Sequence, residues 1–172
     1  MIQIARTWRD PEARALRGLA RAKAPIATKK PLAALQQVTD LARELTSARY
    51  SAIVVIDDDD NVEGFLVSGL TADQERKLKS APLGHGALGT MRKDGLAVRI
   101  DDVSKHAKTF GFPPKHPAMK TLLGVPVDVN GRLRGALYVT DRDGGAPFQD
   151  RDETTLKVLA RHAGGVIGAS WY

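Results

Sequence analysis

The sequence predicts an α+β domain in which a central antiparallel β-sheet is flanked by helices, the N- and C-terminal ones among them. Three observations predict it. Segment 31–47, "PLAALQQVTDLARELTS", places Leu32, Leu35, Val38, Leu41, Ala42 and Leu45 at three- and four-residue spacing, which is the apolar face of a helix. Two pairs of apolar, β-branched runs, 50–57 with 62–69 and 120–129 with 136–142, are each joined by a short turn and so read as hairpins. The chain then closes on a second long amphipathic segment, 149–170. A length of 172 residues suits one domain, and 42% apolar with 27% charged residues is ordinary globular composition.

The elements follow in order. In "DPEARALRGLARAK", residues 10–23, Asp10 is an N-cap and Pro11 occupies the first helical position. Ala15, Leu16, Leu19 and Ala20 form a thin apolar stripe there, and Pro25 ends the helix. After helix 31–47, "YSAIVVID" and "VEGFLVSG" are strands, with Asp57 to Asn61 as their turn. The aspartates of that turn lack the alternating oxygen ligands and closing Glu of a calcium loop, so they read as solvated turn residues. Thr71 caps a short helix over 71–79. A glycine-rich turn, a short helix over 87–93 and the strand "LAVRI" come next. Residues 101–119 form a long irregular stretch of the length at which loops are commonly functional. "KTLLGVPVDV" and "ALYVTDR" are strands linked by "NGRLRG", a turn built on Asn130-Gly131. Asp150 with Glu153 three residues on resembles a capping box for the last helix, whose buried face is Leu156, Leu159, Ala163, Val166 and Ile167.

The absence of cysteine excludes disulfides, thiolate metal sites, iron–sulfur clusters and covalent attachment of a cofactor through sulfur. No apolar run approaches a membrane span, and the first residues lack the pattern of a signal peptide, so a cytoplasmic protein without membrane partners is expected. The net charge of +6 is not evenly spread. Residues 1–30 hold eight Lys or Arg against two acids, and the remainder is balanced at 18 of each. The chain is therefore divided into a basic N-terminal arm or helix, 1–30, and a single domain, 31–172. The arm is read as a solvated helix face. Nucleic acid binding through it is not expected, since Trp8 is its one aromatic residue; such binding would fall steeply with salt.

The most distinctive phrase is "FGFPPKHPAMKTLLGVPV", residues 110–127. Pro113, Pro114 and Pro117 stiffen the backbone around His116, and an apolar strand follows. A metal-ligating histidine needs a neutral imidazole on such a fixed support. Tyr138 alternates with Leu137 and Val139 and so faces the opposite side of its strand; a buried phenol needs a hydrogen-bond partner.

The element order and the phrase "LLGVPVDVNGRLRGALYVTDRDGGAPFQDRDETTLKVLARHAG" resemble a GAF domain. "LGHGALGTM", "RIDDVSKHAKTFGFPPKHPAMKTLLGVPV" and "GALYVTDRDGGAPFQDRDE" are similar, more specifically, to the haem-binding first GAF domain of mycobacterial DosS/DosT (DevS-type) sensor histidine kinases, over about residues 32 to 168. That resemblance implies non-covalent haem b, with His116 as axial iron ligand and Tyr138 on the distal side, hydrogen-bonded to bound ligand. It implies a sensor of a diatomic gas (O2, NO or CO) or of redox state. This chain carries no kinase after the domain, which leaves a partner protein, or a second copy through the terminal helices, to receive a signal.

Phe110, Phe112, Met119, Leu122 and Leu123 are candidate apolar contacts for the cofactor, and any core also needs such residues. His85, between glycines in "GHGALG", is a candidate at the pocket border or a turn histidine. His162 is assigned to a helix surface. No nucleophile–base pair is visible, so no catalytic residue is assigned. Two other functions stay open. One is a stand-alone haem enzyme acting on a small nitrogen–oxygen or peroxide substrate. The other is a haem-free GAF module that binds a small organic molecule.

Overall fold

Asp10 and Pro11 start the first helix as their chemistry demands: the Asp10 carboxylate accepts a hydrogen bond from the Glu12 backbone N–H at 3.1 Å. The computed structural model describes residues 9–77, 91, 94–106 and 119–171. Its helices are α1 (Pro11–Ala22), α2 (Pro31–Leu45), α3 (Ala72–Lys77) and α4 (Asp150–Ser170). Its strands are β1 (Ala48–Ile56), β2 (Val62–Ser68), β3 (Val98–Ile100), β4 (Leu122–Val129) and β5 (Arg132–Arg142). They form one five-stranded sheet in the order β2-β1-β5-β4-β3, and each neighbouring pair is antiparallel. The expected α+β class, with helices flanking an antiparallel sheet, is borne out.

Helices α2 and α4 cover one face of the sheet, and α1 packs onto those two helices. Leu35, Ile53, Leu123, Leu137, Leu159 and Ile167 are among the fully buried side chains there. Each contributes about 1.5–3 kcal/mol by leaving water. The expected α4 face of Leu156, Leu159, Ala163, Val166 and Ile167 is buried throughout. The stripe expected on α1 is met in half. Ala15 and Leu19 are buried as expected, whereas Leu16 is 54% exposed, Ala20 is exposed too, and Gly18 is buried beside the first two. Gly18 permits this, because a Cβ there would lie 3.1 Å from Leu41 Cδ2 and would hold the two helices apart. Leu32, in the first turn of α2, likewise points outward at 53% exposure.

Three ends differ from expectation. The β4–β5 turn is shorter than "NGRLRG": Asn130 (φ 52°) and Gly131 (φ 77°) alone turn the chain, and Arg132 already pairs with Val129. The α4 N-cap is Gln149 and not Asp150. Asp152 accepts from the Gln149 N–H at 2.7 Å, and burial between that bond and Arg142 (3.7 Å) fixes the cap one residue earlier. His162 is half-buried and not on a free helix surface, with its Nε2 2.6 Å from the Ala24 carbonyl.

The Asp57–Asn61 turn behaves as expected. Asp57 Oδ1 accepts from the backbone N–H groups of Asp59 (2.9 Å) and Asn61 (2.8 Å). The Asn61 side-chain bond, first among these contacts, holds the Asp57 carboxyl below its ordinary pKa. Among the described residues no helix is long and apolar enough to cross a membrane.

Candidate functional site

The sheet face away from α1, α2 and α4 is a second, smaller apolar surface. Val54 and Ile56 of β1, Leu122 of β4, and Ala136 and Tyr138 of β5 form it, and Met91 and Val103 pack over it. Strand periodicity decides which residues arrive there. Tyr138 comes through to this side, while Leu137 and Val139 join the helix-side core, as the sequence predicts.

Tyr138 sits mid-strand, opposite Ala52 of β1 and Gly124 of β4. Both neighbours are small. A Cβ on Gly124 would lie 2.8 Å from Tyr138 Cδ1, 2.9 Å from Cε1 and 3.2 Å from Met91 Cε. The phenol ring therefore lies across β4 at Gly124, with Met91 beside it. This is the close approach that a glycine inside a strand permits. Thr140, two residues along β5, shares the face. Its Oγ1 is buried and has no hydrogen-bond partner among the described residues. An unmet buried hydroxyl costs about 1–3 kcal/mol, which a polar ligand atom would relieve.

The structure separates the candidates taken from the sequence. Leu122 and Tyr138 are brought together. Leu123, one residue on, turns to the opposite face and packs in the helix-side core. Met119 lines a cavity of about 410 Å³ with Arg49, Lys120, Asp141 and Arg142, at the end of β5. His116, His85, Phe110 and Phe112 lie outside the described residues. Sequence reasoning missed Gly124, Thr140 and Met91. A glycine interrupting the run "LLGVPV" and the two-residue period through Tyr138 were signals for the first two.

An ionic cluster ties β3 to α4. Arg99 Nη1 donates to Asp150 Oδ1 at 3.0 Å, and Nη2 to Glu153 Oε2 at 2.8 Å. Burial works against the Arg99 charge, but these two bonds outweigh it and the guanidinium pKa is raised. Glu153 is held below its ordinary range, first by the Lys157 ammonium at 2.7 Å and also by Arg99. A carboxylate with a depressed folded pKa adds stability above its unfolded value and loses it as pH falls through the folded one. Glu153→Gln is therefore expected to lower the melting temperature at about pH 7 and to change it little at about pH 3. Thermal melts of both proteins at the two pH values check this. An equal effect at both would assign the loss to packing.

The chain matches the family model described as GAF domain over residues 30–167. The GAF domain of an Acinetobacter phosphoenolpyruvate-protein phosphotransferase is 20% identical with TM-score 0.69, covering 90% of each chain. The GAF domain of a phosphoenolpyruvate-protein phosphotransferase from Coxiella burnetii is 20% identical with TM-score 0.65, covering 91% of this chain and 94% of that one. Free methionine-R-sulfoxide reductase from Neisseria meningitidis, solved in complex with its substrate, is 18% identical with TM-score 0.66, covering 93% and 92%. At these identities the likeness is one of fold. With the family model spanning most of its length and the five-stranded sheet in place, the chain belongs to the GAF domain family.

Proposed function

We propose that this GAF domain binds haem b against the Tyr138 face of its sheet, with His116 as the axial ligand, and senses a diatomic gas or redox state. As a GAF domain the chain is a small-molecule-binding regulatory module. The observation that carries the finer reading joins sequence to geometry. The phrase around His116 runs directly into β4, and the Gly124 of that phrase is the residue paired with Tyr138.

The described residues fit one side of a porphyrin. They offer an apolar wall of Val54, Ile56, Leu122 and Ala136 with one phenol and one unpartnered hydroxyl, and among them no group of three or more His, Asp or Glu to hold a bare metal ion. Haem, when bound, supplies an iron with an axial position for a gas and a one-electron couple. The chain's residues do the rest. His116 would hold the iron, on a backbone that Pro113, Pro114 and Pro117 restrict. Tyr138 would offer its hydroxyl to bound ligand, and the aliphatic wall would exclude water. A change in the segment that carries His116, which lies between β3 and β4 in sequence, would have a route to α4 through Arg99 of β3, and α1 and α4 are then the surfaces for a partner protein or a second copy.

Titration of the purified protein with haemin tests this. A saturable, sharp Soret band with one equivalent is the expected result. A protein that stays colourless would overturn haem binding and leave a haem-free module for an organic ligand. Rapid turnover of peroxide or a nitrogen oxide by the loaded protein would replace sensing with catalysis.

A further inference from the structure

We propose a second, independent site: a pocket for a phosphoryl group or comparable tetrahedral oxyanion, where the start of α1, the end of α2 and the first turns of α4 meet. The cavity measures about 100 Å³, and Arg9, Arg14, Arg142 and Arg151 line it beside Asp152 and Thr155. A water takes about 30 Å³ of liquid, so the space suits a small oxyanion and not a nucleoside or a porphyrin.

Four arginines line the space with one carboxylate, and that carboxylate is already committed. Asp152 accepts from the Gln149 N–H at 2.7 Å and lies 3.7 Å from Arg142 Nε. Arg142 also donates from Nη1 to the Pro147 carbonyl at 3.1 Å, which holds its side chain in place at 14% exposure. Arg9, Arg14 and Arg151 have no side-chain hydrogen bond or ion pair among the described residues. Asp10 and Glu12, the two acids of the basic N-terminal segment, are not part of the lining.

Cations gathered around one small polar space repel one another, and solvent screens exposed ones only in part. An oxyanion removes that repulsion, and planar guanidinium groups match its oxygens in pairs. The pocket also gives part of the N-terminal charge a use. Two of the arginines that make the N-terminal segment basic close over it, so bound anion would fasten α1 onto α4.

The test is a thermal-shift and 31P NMR titration with inorganic phosphate, with sodium chloride at matched ionic strength as control. Variants are Arg14→Gln/Arg151→Gln and, as a charge control on the outer face of α4, Arg161→Gln. The expected result is a saturable rise in melting temperature with phosphate that chloride does not give. Affinity should fall at least tenfold in the double variant and stay unchanged in Arg161→Gln. A second arm uses glycerol phosphate: equal affinity identifies a phosphoryl group carried on a larger molecule, and phosphate alone identifies the free ion. An equal response to chloride, or unchanged affinity in the double variant, would overturn the site. So would duplex DNA binding more tightly than phosphate, because the arginines would then act as an open basic surface.

Discussion

Gly135→Ala is expected to destabilise the fold by about 3 kcal/mol or more, lowering the melting temperature by about 10 °C. Gly135 lies on β5 at the centre of the sheet, opposite Val55 of β1 and Val127 of β4. A Cβ there would stand 2.0 Å from the Val54 carbonyl oxygen and 3.1 Å from its carbon. Those are backbone atoms of a paired strand and cannot swing aside as a side chain would. The β4–β5 pairing already shifts register beside this point, between Val127 and Asp128. Gly131→Ala is the contrast. Gly131 has φ +77° with nothing within 4 Å, so its substitution pays only for the left-handed backbone, about 1 kcal/mol. Urea denaturation of the two variants separates the terms. Equal losses would refute the close contact at Gly135.

Gly124→Val is expected to lower haem affinity at least tenfold while leaving the sheet folded. The atoms its Cβ would meet belong to Tyr138 and Met91, side chains that can move. The ring would have to leave its seat across β4, and a branched side chain would fill space on the apolar face. Far-UV circular dichroism beside a haemin titration reads the two effects apart. A variant that binds haem as the parent does would remove the Tyr138 face from the ligand site.

Much of the fold is legible because its elements follow strong periods. In β5, alternation alone places Tyr138 on the side opposite Leu137 and Val139. In α4, three- and four-residue spacing picks out the buried face. Local chemistry is legible where the partners are neighbours in sequence, as with Asp10 at the start of α1 and Thr71 with Gln74 at the start of α3.

What escaped reading depends on distant partners. Which side of α1 is buried is decided by how near α2 can come, and so by Gly18 against Leu41 and not by the hydrophobicity of Leu16. The cap of α4 moved to Gln149 because Asp152 has a partner on β5. His162 gained its contact from the loop after α1. Leu122 and Leu123 were grouped by composition, although strand period places them on opposite faces. Within the site, Tyr138 was legible from its strand. Thr140 was not, because nothing local marks a hydroxyl that tertiary packing leaves without a partner.

The central claim is that His116 holds the iron. Resonance Raman spectroscopy of the ferrous, haem-loaded protein tests it most directly, run on the parent, on His116→Ala, and on His116→Ala with added imidazole. The account predicts an iron–histidine stretching band in the parent. That band should be absent from His116→Ala and be replaced by an iron–imidazole band when free imidazole fills the space. An unchanged iron–histidine band in His116→Ala would contradict the account and give the iron to another histidine.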